Sequence, residues 1–207
     1  VAFDVYPYAA GSTVLIPDRL RPDVPVQITW SVPHPEMSGR MLDDIAAEWS
    51  VSAREAAERL LPAGAIFFQM HEDDVRRILA HPDAMIGSDG LPHDAFPHPR
   101  LWGTFPRVLG HYARELGLFS LEAAVRKMTG RTAEVFGLID RGVVREGAYA
   151  DLVLFDPATV RDAATFAAPT LPAEGILETW VNGQSAFVQC TGATPARAGR
   201  LLTRGRG

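Results

Sequence analysis

The chain has one cysteine, no long apolar run and no concentration of basic charge, and each shortage excludes something. Cys190 is the single cysteine in 207 residues, so no internal disulfide can form. That fits a reducing compartment such as the cytoplasm, and the thiol is expected to fill space in a strand. No apolar stretch is long enough to span a bilayer, and no charged leader with an apolar segment is present, so nothing marks a membrane partner or secretion. Lys and Arg number 20 against 25 Asp and Glu, with a sequence pI near 5.7 and no basic stripe, which argues against nucleic acid as a partner. Arg197, Arg200, Arg204 and Arg206 read as a solvated tail. There is no internal repeat, no Walker loop and no Gly-x-Gly-x-x-Gly. Ser88 is outside any Gly-x-Ser-x-Gly elbow, so a serine hydrolase has no support. His93 and His98 have neither the His-x-His nor the helical His-x-x-x-His spacing of a chelating pair.

What is present is a 47% hydrophobic chain with enough apolar content for a substantial core. Its focal stretch is Met85-Ile86-Gly87-Ser88-Asp89-Gly90, an apolar run ending in a carboxylate flanked by glycines. Ala84, Met85 and Ile86 suit a buried strand, and Gly87 and Gly90 are expected to let the backbone turn sharply and approach a ligand. At the carboxyl end of a parallel strand, Asp89 is a candidate general base. Ser-Asp-Gly is equally an ordinary turn tripeptide, and these residues alone leave both readings open.

The surrounding text bears on that choice. Gly87-Ser88-Asp89-Gly90, Pro97-His98-Pro99-Arg100 and the run from Gly103 to Gly110 occur together. Downstream stand Lys127-Met128-Thr129 and the segment from Arg141 to Asp156, and upstream stand Asp4-Val5-Tyr6-Pro7-Tyr8 and Gly11-Ser12-Thr13. In that order they resemble the N-acyl-D-amino-acid deacylases, or D-aminoacylases, of the amidohydrolase superfamily. The resemblance implies an α/β fold: the carboxyl-terminal part of a (β/α)8 TIM-type barrel with a helical insertion, then strands of a small β-sandwich. Residues 1–138 would be the last barrel strands and helices, with a lid-like insertion at about 13–64, and 139–207 the sandwich strands. Val1 to Tyr6 opens directly in strand-like text with no initiator methionine, which reads as a chain cut within a longer protein, its amino-terminal part missing.

Function follows from the same resemblance as an expectation. The parent would be a zinc-dependent hydrolase of N-acyl-D-amino acids, a small-molecule substrate class. Asp89 would be its catalytic acid–base, Arg100 would grip the substrate α-carboxylate, and Tyr6 and Ser12 would face the substrate. Zinc would polarise the scissile carbonyl and acidify water, held by histidine and cysteine ligands upstream of this chain, which supplies no metal ligand set and is expected to be inactive alone. A cyclic-amide hydrolase such as a dihydropyrimidinase or dihydroorotase shares the aspartate, but is not expected to carry Tyr-Pro-Tyr and Pro-His-Pro-Arg. A non-catalytic remnant is the third reading.

Local signals fill in the rest. Residues 1–8 should form a strand stopped by Pro7. Met41-Leu42, Ile45 and Trp49 fall at helical spacing, and Ser52-Ala53-Arg54-Glu55 is a capping box. Ala65 to Met70 is strand-like, Glu72-Asp73-Asp74 opens a helix through Leu79, and Thr104 to Leu116 reads as a helix. Ser120 is expected to cap a helix from Leu121 to Phe136, with Lys127 and Arg131 solvated. Ala150 to Asp156 reads as a strand, and Asn182-Gly183 predicts a hairpin between Ile176–Val181 and Gln184–Gln189.

Overall fold

The computed structural model describes residues 2–205, so Val1 of the expected first strand and Arg206 of the expected tail lie outside the described residues. Three small sheets and their helices form an α/β structure. The first sheet is two parallel strands, β1 (Phe3–Val5) and β5 (Ala84–Ile86), with Asp4 opposite Met85. Within residues 2–8, strand geometry is confined to β1.

The second sheet is antiparallel, in the order β2 (Gly11–Val14), β4 (Ala63–Phe67), β3 (Val26–Ser31). β4 lies between two neighbours and all five of its residues are buried, which is why its text is continuously apolar. Two helices pack on this sheet, α1 (Leu42–Glu48) and α2 (Ala53–Leu60). Ser52 Oγ accepts from the Glu55 amide at 3.2 Å, as its sequence position predicts. β3 has no counterpart in the sequence reading: flanking prolines masked a strand at the sheet edge, where they are tolerated.

Between the two sheets runs α3 (Glu72–Ala80), with His71 Nδ1 accepting from the Asp73 amide. After β5 come α4 (Arg100–Arg107), a π-helical stretch (Val108–Glu115), α5 (Leu121–Met128) and α6 (Gly130–Phe136). Here the structure corrects three expectations. The helix predicted from Thr104 starts at Arg100 and changes its winding at Val108. The helix predicted through Phe136 breaks at Thr129, whose backbone (φ −128, ψ −88) is not helical. Lys127 is buried, and its ammonium donates to His81 O and Ala84 O; the carbonyl groups where α3 ends and β5 begins draw in a long side chain that spacing alone placed in water. Arg131 is also largely covered and pairs with Asp83 at 3.3 Å.

The third sheet is antiparallel: β6 (Leu152–Phe155), β7 (Ile176–Val181), β8 (Gln184–Val188) and β9 (Gly192–Ala193). Asn182 (φ +48) and Gly183 (φ +77) form the hairpin turn. Cys190 does not fill a strand interior; it is exposed in the turn after β8. The tail returns to the body, with Asn182 Nδ2 donating to Ala198 O and the Gly205 amide to Gly137 O. Among the described residues, no helix is long and apolar enough to cross a membrane.

Candidate active site

The parallel pairing of β1 with β5 sets the carboxyl ends of both strands side by side. Tyr6 follows one and Asp89 the other. Both line a cavity of about 700 Å³, whose wall also includes Asp4 and, from the segment after β4, Gln69, Met70 and His71. The sharp turn does not fall where the glycines suggested. Asp89 itself takes the left-handed conformation (φ +46), a region that Asp and Asn enter more readily than most residues. Gly87 and Gly90 act by close approach: a Cβ on Gly87 would collide with the Asp4 carboxylate, and one on Gly90 with Leu101.

The four sequence candidates converge. Arg100 Nη2 pairs with Asp89 Oδ2 at 2.9 Å, and the Arg100 guanidinium lies 4.6 Å from the Tyr6 ring centroid. Its Nη2 also reaches the backbone oxygen of Ser12 at 3.5 Å, so the contact at position 12 is through the carbonyl group and not the hydroxyl. Arg100 sits behind the cavity wall, its side chain 2% exposed against 65% for Asp89, and Nε has no partner. One end of a buried guanidinium thus meets an exposed carboxylate, a geometry suited to exchanging one carboxylate for another.

His98, left as a simple hydrogen-bonding group by its spacing, holds this arrangement together. The Arg100 amide donates to His98 Nδ1 at 3.0 Å, so Nε2 carries the proton and donates to Ala10 O at 3.0 Å. The ring is buried, edge-on to Tyr8 and Phe166. Burial, and secondarily the charge of Arg100, push its pKa down to about 3. An unfolded histidine titrates near 6.5, so the stabilisation from keeping this ring neutral is complete above about pH 6.5 and is lost as pH falls toward 3, on the order of 5 kcal/mol over that window. Urea-unfolding midpoints should therefore fall more steeply with acid in the wild type than in His98→Gln; parallel pH curves would place the proton uptake elsewhere.

Sequence reasoning missed a second constellation. Tyr112 donates from its hydroxyl to Glu72 Oε1 at 2.9 Å, and Arg107 donates to Pro7 O at 2.9 Å. The Tyr8 and Tyr112 hydroxyl pKa values are both raised, chiefly by burial. The signal was the run Gly103 to Gly110, read as a family motif without a task for its arginine. Among the described residues, no group of three or more His, Cys, Asp or Glu side chains could hold a metal. Both His98 nitrogens are engaged, so that ring has no free lone pair to offer a metal.

Residues 25–187 match the amidohydrolase family. The chain is 58% identical to D-aminoacylase of Alcaligenes xylosoxydans xylosoxydans over 204 residues, 99% of this chain and 42% of the relative. A solved D-aminoacylase structure superposes with a TM-score of 0.94, covering 98% of this chain and 43% of that one. The N-acyl-D-glutamate deacylase of Alcaligenes xylosoxydans xylosoxydans is 56% identical over 205 residues, 99% of this chain and 41% of the relative. A structure of the N-acyl-D-glutamate deacylase from Bordetella bronchiseptica, complexed with zinc and a phosphonate inhibitor that mimics the tetrahedral intermediate, has a TM-score of 0.89 at 55% identity, over 94% of this chain and 41% of that one. The chain spans about two fifths of the length of the curated relatives it matches.

Proposed function

The chain belongs to the amidohydrolase family, and from that premise we propose that it is the carboxyl-terminal portion of an enzyme that hydrolyses N-acyl-D-amino acids to a free D-amino acid and a carboxylate. The observation that carries the reading is the meeting of Arg100 and Asp89 at the ends of two adjacent parallel strands, beside a cavity large enough for a small acylated amino acid. The substrate α-carboxylate takes the place of the Asp89 carboxylate on Arg100 Nη2, with Tyr6 and Ser12 completing that end of the pocket. Asp89 is thereby released. It takes a proton from the water that attacks the scissile carbonyl carbon, and returns it to the amide nitrogen as the C–N bond breaks. A neutral cyclic amide such as a dihydropyrimidine would leave Arg100 without a ligand, which favours acylated amino acids over it; a cyclic amide that carries a carboxylate, such as dihydroorotate, is separated by the assay below.

Zinc enters this reading through the relatives. Among the described residues no group of side chains could hold a metal, so in this reading its ligands would come from the amino-terminal portion, and no step above is routed through it. In the same reading, β1 and β5 with their helices, within residues 1–138, belong to a (β/α)8 barrel. Residues 13–64 are an insertion over the site, and the strands of 139–207 belong to a β-sandwich. The exposed apolar residues Val144, Val153 and Leu154 support a covering partner for that last region.

The test is an enzyme assembled by joining this chain to the aligned amino-terminal portion of the related D-aminoacylase. It should release free D-amino acid from N-acyl-D-amino acids and leave the L-isomers and cyclic amides intact. The 207-residue chain by itself should be inactive and bind no more zinc than a histidine-bearing control protein. Hydrolysis of cyclic amides alone would overturn the reading. Stoichiometric zinc on the lone chain would show a metal site among Asp89, His93 and His98.

A further inference from the structure

Arg107 is the one charged residue in the run Gly103 to Gly110, and it does not line the cavity. Its side chain leaves α4 and ends at the corner formed by Tyr6-Pro7-Tyr8. There Nε donates to Pro7 O at 2.9 Å while Nη1 pairs with Asp162 Oδ2 at 3.2 Å. The guanidinium lies 5.1 Å from the Tyr8 ring centroid and 5.6 Å from that of Tyr112. Tyr112, one π-helical turn further on, sets its hydroxyl 3.5 Å from the same carbonyl oxygen. Gly103 admits this packing, since a Cβ there would collide with the Tyr8 hydroxyl.

Why so much is aimed at one carbonyl follows from where β1 stops. Its ladder with β5 ends at Val5, so the chain through Tyr6 and Pro7 has no strand partner to hold it, and a covered carbonyl needs a donor. Arg107 supplies a charge-assisted one, and Asp162 fixes the direction of the fork. Tyr6 precedes this anchor by one residue and presents its ring to Arg100.

We propose that Arg107 is a positioning residue, holding the Tyr6-Pro7-Tyr8 corner so that Tyr6 and Arg100 present one preformed surface to the substrate. The role of Tyr6 at the substrate rests on the deacylase reading; the anchoring of the corner does not. Asp89 follows the other strand, β5, and its carboxylate leaves Arg100 once substrate is bound, so loss of Arg107 acts on substrate affinity and spares the chemical step.

In the joined enzyme, Arg107→Lys keeps the charge but cannot serve Pro7 O and Asp162 with one planar fork. KM should rise roughly tenfold with kcat nearly unchanged. In a Tyr6→Ala background, which removes the ring that lies against Arg100, the same change should add little, because two residues acting through one contact are not additive. Unchanged KM, an equal effect in both backgrounds, or a loss confined to kcat would overturn the proposal. Should the Arg107 variant fail to fold, Asp162→Asn weakens the contact that fixes the direction of the Arg107 fork and should shift KM the same way by less; no shift overturns it again. Hydrogen exchange provides an arm without substrate. The Tyr8 amide, which donates to Tyr6 O at 3.0 Å, should exchange faster in Arg107→Lys while amides of the β7–β8 hairpin do not change. Unaltered Tyr8 exchange sinks the positioning role. Faster Tyr8 exchange in a protein that turns over no N-acyl-D-amino acid would sink the deacylase reading alone.

Discussion

In the joined enzyme, Asp89→Asn is expected to lower kcat by about two or more orders of magnitude, the scale of losing a general acid–base. The substitution is nearly isosteric, and an amide oxygen can still accept from Arg100 Nη2 as the carboxylate does at 2.9 Å. Geometry is therefore preserved while the capacity to take a proton is removed. KM should not rise, because the carboxylate that occupies Arg100 has become a weaker competitor for it. The left-handed backbone at position 89 (φ +46) also tolerates asparagine, so the fold should survive. Steady-state kinetics with one N-acyl-D-amino acid read the result, and turnover near that of the wild type would remove Asp89 from the mechanism.

Arg100→Ala should act mainly on affinity. A charged hydrogen bond to a carboxylate contributes about 1.5–3 kcal/mol, so KM should rise roughly 10- to 100-fold for an N-acyl-D-amino acid. An N-acyl amine of the same shape without the carboxylate should be nearly indifferent. The second substrate is essential because Arg100 is buried, lies against Tyr6 and reaches Ser12 O, so its removal could disturb the pocket by packing alone. Equal losses on both substrates would assign Arg100 a structural role. Arg100→Lys sharpens the comparison, since it retains charge but loses the planar fork.

What the sequence by itself determined is local or carried by resemblance. Ser52 and Ser120 cap helices because a hydroxyl three residues ahead of an amide needs nothing distant, and Asn182-Gly183 turns a hairpin because both residues accept positive φ. Ala84 to Ile86 is a strand leading to Asp89 for the same reason: a short apolar run bounded by glycine carries its own signal. Tyr6, Ser12, Asp89 and Arg100 were named by matching motifs, and no spacing along the chain states their separation in space. Tertiary structure decided that they meet, by pairing β1 with β5 in parallel and by bringing Arg100 at the start of α4 against Tyr6, Asp89 and the Ser12 carbonyl group of β2. It also decided what local pattern misjudged. Lys127 is buried because the His81 and Ala84 carbonyl oxygens, between α3 and β5, draw in its ammonium, β3 forms because β4 supplies its ladder, and the Asp89 turn is strained at the acid and not at its glycines. Arg107 and Pro7 lie 100 residues apart, and their contact exists because a carbonyl left without a strand partner takes the nearest donor that the packed helices bring to it. Short-range chemistry is written in the sequence, whereas which distant groups must satisfy one another is settled only when the elements pack.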